Sequence, residues 1–280
     1  MGKGKDKQKG RGKKRKGPTK AERADIHELY QKAVQFPEAD VEFFARVYEE
    51  FRGRPPKVLR EDFCGTAHLS CTWVKSADDR RAVGVDLDGP TLDWAREHNL
   101  SQLTDEQRSR VDLHQANVLD GPGEKADVTC AMNFSYCVFK KRPDLKRYFE
   151  VVRETLADDG VFVAELYGGY EAIQEDEELR ECDGFRYRWK QEKYNPITHE
   201  TLCHINFEFK DGSKIKNAFT YDWRLWTIAE LRDLLEEVGF SDVAVYWDEV
   251  DDDGEGTGEY VRTEEEENQE SWLVYVVGAK

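Results

Sequence analysis

The chain of 280 residues contains no apolar run near the roughly 18–20 residues that a membrane span needs. No apolar segment follows the basic residues at its start, so a secretory signal is not expected there. The six cysteines, Cys64, Cys71, Cys130, Cys137, Cys182 and Cys203, form no CxxC pair, and the histidines do not gather near them. That spacing argues against a zinc site and fits reduced thiols in a cytoplasmic protein, with no metal expected. No internal repeat is visible. One further absence raises a question. "VLREDFCGTAHLS", residues 58–70, reads as a strand, a tight turn and a helix, yet it holds one glycine where a dinucleotide-binding loop has three.

What is present suffices for a folded body. Hydrophobic residues make up 39% and aromatics 12%, enough for a core, and a charged fraction of 36% implies a heavily solvated surface. The net charge of −16 hides an asymmetry: residues 1–20 carry ten Lys or Arg against Asp6 alone, which leaves −25 for the rest. Residues 1–19 have no apolar residue beyond Met1, so a disordered basic tail is expected. Two readings of it stand open, an electrostatic contact with RNA or another polyanion and a solubilising tail.

Residues 20–280 read as one domain. Thr19 is a candidate N-cap, and Ile26, Leu29, Tyr30 and Val34 fall at helical spacing up to Pro37. Val41, Phe44, Val47, Tyr48 and Phe51 mark a second helix, stopped by Gly53 and Pro55-Pro56. These helices, residues 20–53, are expected as an N-terminal lid. Strands and helices then alternate, which predicts a doubly wound α/β fold. Its expected form is a mostly parallel seven-stranded sheet with helices on both faces. Residues 185–224 alternate polar and apolar positions and predict an antiparallel β insertion before the sixth strand. "TIAELRDLLEEVGF" is an amphipathic helix closed by Gly239, and the acidic stretch 251–270 is expected as an exposed loop.

The turn Cys64-Gly65-Thr66-Ala67 is not arranged as a pyrophosphate cradle, and Glu61 just before it would repel a phosphate. An ammonium would suit Glu61 far better. "VGVDLD" ends in Asp86, placed at the tip of the second strand to accept hydrogen bonds from both hydroxyls of a ribose. The expected ligand is therefore a nucleoside with a cationic tail.

With these features in place, the chain resembles the class I, Rossmann-like S-adenosylmethionine-dependent methyltransferases over roughly residues 57–280. "VLREDFCGTA" is similar to their first motif and "GVDLDGPTLDWARE" to their second. "HQANVLD" is similar to the third-strand segment, "ADVTCAMNFSYCVF" to the fourth strand and "LADDGVFVAEL" to the fifth. "RLWTIAELRDLLEEVGFSDVAVY" and "SWLVYVVGAK" are similar to the late helix and the last two strands. Phe63 and Ala67 stand where two glycines are often found, and Asn117 where an Asp is common. The resemblance implies S-adenosylmethionine as cofactor. It implies that Glu61 faces the methionine ammonium and that Cys64 and Gly65 form the turn against the ligand. Asp86 would hold the ribose, Leu87 would pack near adenine, and Asn117 with the Val118 backbone would read the adenine edge. Asn133 and Phe134 would lie beside the methionine end.

Methyl transfer from a sulfonium is an in-line displacement, so the protein must chiefly hold the acceptor in line in a dry site. Candidate polar groups for the acceptor are Tyr30, Tyr136, Tyr167, Tyr194 and His199. No Asn-Pro-Pro-Tyr run follows the fourth strand, where the sequence reads "NFSY", and no added target-recognition domain is apparent. A small-molecule acceptor is the first expectation. An RNA or protein methyltransferase positioned by the basic tail is the second, and a non-catalytic cofactor-binding protein the third.

Overall fold

A computed structural model describes residues 17–250 and 256–280. Residues 1–16 of the basic tail expected at 1–19, with its expected polyanion contact, lie outside the described residues. Thr19 is an N-cap, as its chemistry predicts. It caps α1 (Lys20–Arg23) in a reciprocal pair with Glu22. Where one helix was expected, the chain breaks at Ala24 and restarts, because the Asp25 side chain caps the amides of His27 and Glu28 and opens α2 (Ile26–Val34). Pro37 sits in the first turn of α3 (Pro37–Arg52), and left-handed Gly53 ends it.

Alternation follows as predicted: β1 (Val58–Asp62), α4 (His68–Ser76), β2 (Arg81–Asp86), α5 (Gly89–His98), the short α6 (Asp105–Arg108), β3 (Val111–Gln115), β4 (Ala126–Ala131), α7 (Arg142–Thr155) and β5 (Leu156–Gly168). After it come β6 (Glu177–Cys182), β7 (Phe185–Asn195), β8 (Glu200–Phe209), β9 (Lys214–Arg224), α8 (Ile228–Glu237), β10 (Asp242–Val250), β11 (Gly256–Thr263) and β12 (Trp272–Ala279).

The main sheet runs β11-β10-β12-β5-β4-β1-β2-β3. Its five strands from β5 to β3 are parallel, and β12, β10 and β11 are antiparallel. The chain winds outward from β1 to β3, then returns through β4 and β5, so the winding reverses between β1 and β4. A doubly wound sheet opens its ligand crevice at the carboxyl ends of such strands. The faces are covered as a layered fold requires. Phe44, Val47, Tyr48, Trp73 and Leu92 from α3, α4 and α5 pack on one side. Leu145, Phe149, Leu231 and Leu235 from α7 and α8 pack on the other.

Three expectations change. The sheet has eight strands among the described residues, because β11 arises inside the acidic stretch expected as a loop. Its residues are mostly exposed and polar, so no apolar alternation marks it. It is an edge strand whose charges suit solvent, and only Tyr260 turns toward the core. The insertion has four strands and begins at Glu177, because β6 is mostly charged and exposed, with no apolar alternation, and reads as loop. The helices at 20–53 divide their roles. α2 packs Leu29 and Ala33 under the insertion sheet against Phe185, Ile205 and Phe207. The buried face of α3 belongs to the main layer, and only its first turn reaches toward the insertion.

Candidate active site

β1 places three charged residues in succession in the middle of the sheet. Arg60, Glu61 and Asp62 are 0%, 4% and 2% exposed. Strand alternation sends Arg60 and Asp62 to one face and Glu61 to the other. On the first face Arg60 Nε lies 2.8 Å from Asp62 Oδ1, and the Tyr148 hydroxyl donates to Asp62 Oδ2 at 3.0 Å. On the second face Glu61 has no cation. Its Oε2 accepts from the Ser70 amide at 2.9 Å and the Ser70 hydroxyl at 2.5 Å. Burial pushes the Glu61 carboxyl up to about 8, against the pull of the Ser70 bonds.

The turn after β1 explains the two missing glycines. Phe63, Gly65 and Ala67 have φ of 60°, 49° and 53°. The chain keeps the left-handed backbone that glycine would adopt freely and stores strain of roughly 1–2 kcal/mol at each substituted position. The Phe63 ring packs on Phe139 and Tyr148, which offsets part of it. A second strained pair, Asn133 and Phe134 at φ 51° and 59°, ends β4. Four of the six non-glycine residues with positive φ among the described residues thus sit at the ends of β1 and β4. Such clustering marks functional sites.

Asp86 ties this edge together. Its Oδ2 accepts from Gly65 N and its Oδ1 from Asp88 N, both at 2.8 Å. The carboxylate therefore fixes the turn after β1 and the start of α5 at once. Each oxygen retains lone-pair capacity for a ligand hydroxyl. Leu87 beside it is 66% exposed, an apolar surface next to a polar anchor. The Asn117 side-chain oxygen accepts from Leu119 N at 3.0 Å, which leaves its amide hydrogens as donors. The Val118 side chain is buried. Cys64 turns away from this edge into the core, 1% exposed, and burial pushes its thiol well up. Gly84 makes room for it, since a Cβ there would lie 3.0 Å from Cys64 Sγ.

A cavity of about 500 Å³ opens where β1, β4 and β5 face the insertion sheet. It gathers Glu61, Asn133, Phe134, Tyr30 and Tyr167 from the sequence-predicted set. Gly65, Asp86, Leu87, Asn117 and Val118 follow along the neighbouring strand ends, outside its lining. Tyr136 is not in the lining. It is fully buried, and its hydroxyl donates to the Glu165 carbonyl at 2.9 Å, so it fixes β5 from within the core. Tyr194 and His199 are also elsewhere, paired at the far end of the β7–β8 hairpin with ring centroids 5.9 Å apart.

Sequence reasoning missed two carboxylates of the cavity, buried Glu165 and half-buried Asp40, which line it together with exposed Glu178. Glu165 interrupts the apolar run of β5 and is 8% exposed, and Asn133 N donates to its Oε2 at 2.5 Å. Burial and the nearby Asp40 charge push its carboxyl up to about 8. Asp40, in the first turns of α3, accepts from the Tyr275 hydroxyl at 3.2 Å, and burial raises it to about 7. A lone acid in an apolar strand was a usable signal for Glu165. Asp40 had none, standing between Glu38 and Glu42 on an amphipathic helix. The insertion supplies aromatic walls. Tyr221 stacks on Trp223 at 4.3 Å, and Phe134 meets Tyr167 at 4.6 Å. The Tyr167 hydroxyl is buried without a partner among the described residues.

Solved structures share this architecture over nearly its whole length. An S-adenosylmethionine-dependent methyltransferase from Clostridium acetobutylicum is 18% identical, with 90% of this chain and 96% of that chain covered and a TM-score of 0.66. An amino pentose methyltransferase of calicheamicin biosynthesis from Micromonospora echinaspora, solved with S-adenosylmethionine bound, is 15% identical, with coverages of 91% and 97% and a TM-score of 0.63. A sugar N-methyltransferase from Streptoalloteichus is 18% identical, with coverages of 92% and 93% and a TM-score of 0.60. No family model matches the sequence, and no curated protein matches it. The chain has the class I S-adenosylmethionine-dependent methyltransferase fold, and the likeness lies in the fold. Among the described residues no helix is long and apolar enough to cross a membrane, and no cluster of His, Cys, Asp and Glu is arranged to hold a metal ion.

Proposed function

We propose that the protein is an S-adenosylmethionine-dependent methyltransferase acting on a small molecule. The observation that carries this reading is the succession of groups along the strand ends: Glu61 near the end of β1, Asp86 at the end of β2, Asn117 after β3, and Asn133 and Phe134 after β4. Glu61 suits the amino-acid ammonium and Asp86 the ribose hydroxyls. Exposed Leu87 and the free Asn117 amide suit adenine, with the Val118 backbone beside them. A diphosphate gains nothing here, because it would oppose the ionisation of the buried Glu61 carboxyl that an ammonium favours. When bound, the cofactor supplies an electrophilic methyl on a sulfonium.

The protein's own task is to orient an acceptor and keep water out. The main sheet forms the floor of the cavity, and α2 with the insertion forms its roof. A cavity of about 500 Å³ matches a small acceptor. Tyr30 and Tyr167, both lining it, are the acceptor-facing hydroxyls retained from the sequence reading.

Calorimetry tests the cofactor half. S-adenosylmethionine and S-adenosylhomocysteine should bind and NAD should not. Asp86→Ala should weaken binding by about 1.5–3 kcal/mol, the range for charge-assisted hydrogen bonds. NAD binding with no binding of either sulfur nucleoside would overturn the reading. Methyl-labelled cofactor incubated with a small-molecule extract then reports the product by mass spectrometry.

A further inference from the structure

We infer that the acceptor is a cationic amine, held between Glu165, Asp40 and the aromatic walls of the cavity and methylated on its nitrogen. This rests on the methyltransferase reading above and goes beyond it by fixing the acceptor's charge and reacting atom.

The inference starts from a surplus of carboxylates. Asp40, Glu61 and Glu165 come from three separate elements, α3, β1 and β5, and line one cavity. None forms an ion pair among the described residues. Arg180 is the one cation among the described lining residues, and it is held on the cavity wall without an ion pair to any of the three. It donates to the Ala33 carbonyl, and its guanidinium lies 5.0 Å from the centre of the Tyr187 ring. The methionine end of the cofactor brings one ammonium, which Glu61 suits, and its own carboxylate offsets part of the sulfonium charge. Glu165 and Asp40 remain without a counter-charge. A buried carboxylate with no partner is unfavourable, and an entering cation removes that penalty.

Glu165 is built for this role. It is more than nine-tenths buried, it is anchored through one oxygen by the Asn133 amide, and what remains accessible opens onto the cavity. The walls have matching chemistry. Trp189, Tyr221 and Trp223 from the insertion and Phe134 from the β4 turn offer ring faces, which attract ammonium groups. The orphaned Tyr167 hydroxyl adds a neutral acceptor. A neutral alcohol would gain no charge attraction from either carboxyl, and a phenolate or carboxylate acceptor would be repelled by their ionised forms.

The chemistry balances with these groups. The bound ammonium gives one proton to the Glu165 carboxylate, which frees the nitrogen lone pair. The nitrogen forms a bond to the methyl carbon as the carbon–sulfur bond breaks, and that electron pair stays on sulfur. The amine leaves as its N-methylammonium, and the proton on Glu165 passes to solvent.

The test uses the full chain loaded with S-adenosylhomocysteine and a panel of aliphatic, arylalkyl and amino-sugar amines, each beside its isosteric alcohol. Calorimetry should find binding of at least one amine and about tenfold or more weaker binding of its alcohol. Glu165→Gln should weaken amine binding about tenfold while S-adenosylhomocysteine affinity stays within about twofold. Asp40→Asn provides the same readout if the first variant does not fold. With labelled S-adenosylmethionine the methyl should appear on nitrogen. If S-adenosylhomocysteine binds but no amine does, or if only alcohols are methylated, the amine assignment is overturned and the methyltransferase reading survives. If S-adenosylhomocysteine does not bind, the underlying reading has failed first.

Discussion

Two buried acidic regions of this molecule behave in opposite ways. On one face of the insertion sheet, the Glu208 side chain is 5% exposed and lies among Lys214 at 2.6 Å, Arg186 at 2.8 Å and Arg188 at 3.1 Å. The hydrogen bond from Lys214 leads in holding its carboxyl below the ordinary range. In the cavity, Asp40, Glu61 and Glu165 have no such partners, and burial pushes all three up. Within β1 the contrast narrows to neighbours. Burial raises both carboxyls, but Asp62 has Arg60 and Glu61 has only Ser70. The difference separates carboxylates that complete the fold from carboxylates left for a ligand.

The largest effect should come from breaking a permanent pair. Arg60→Ala leaves Asp62 buried without its cation, and should destabilise the protein by about 3–5 kcal/mol. Glu61→Gln, one residue along, should change the stability of the empty protein by less than about 1 kcal/mol, because no charge partner is lost. Denaturant titration of both variants checks the pair, and equal losses would erase the distinction. Glu208→Gln should be intermediate, costing about 1–2 kcal/mol, since its three cations remain partly hydrated.

A pH series sharpens the comparison through its sign. The Glu61 and Glu165 carboxyls titrate near 8 in the folded protein against an ordinary value of 4.5. Their contribution is fully present below about pH 4.5 and is lost as pH rises toward 8, because the unfolded chain gives up these protons first. Glu208 works the other way, and its contribution is lost as pH falls through its lowered value. Glu165→Gln should therefore gain stability relative to the wild type between pH 5 and pH 8, by on the order of a few kcal/mol. A gain that shrinks over that interval would contradict the assignment. Among these effects the smallest should come from the β1 turn. Ala67→Gly relaxes a left-handed residue and should stabilise the protein by up to about 1 kcal/mol, less whatever the lost methyl contributed to packing.

The half of the site that was legible in the sequence is the half governed by local rules. A strand, a turn and a helix fix Glu61 and Gly65 by position, and the tip of the next strand fixes Asp86. Thr19, Gly53 and Gly239 end or begin their helices where their chemistry dictates. The acceptor half depends on packing between distant segments. Which aromatic faces of β7, β8 and β9 meet the cavity follows from how the insertion settles on α2, and no local spacing records that. β6 and β11 escaped because edge strands can be polar on both faces. Tyr136 was a plausible acceptor contact by its place after β4, but a turn of the chain at Asn133 and Phe134 sends it inward to Glu165.

The central claim is that Glu61 lacks a permanent partner because the ligand's ammonium completes it. The direct measurement is proton release on binding S-adenosylhomocysteine at pH 7, from calorimetry in buffers of different ionisation enthalpy. In the empty protein Glu61, raised to about 8, is mostly protonated at that pH. The incoming ammonium favours the ionised form, so binding should release a proton, approaching one per site. In Glu61→Gln the release should fall by that amount and the affinity should weaken. Binding with no proton release, or with the same release in Glu61→Gln, would contradict the account.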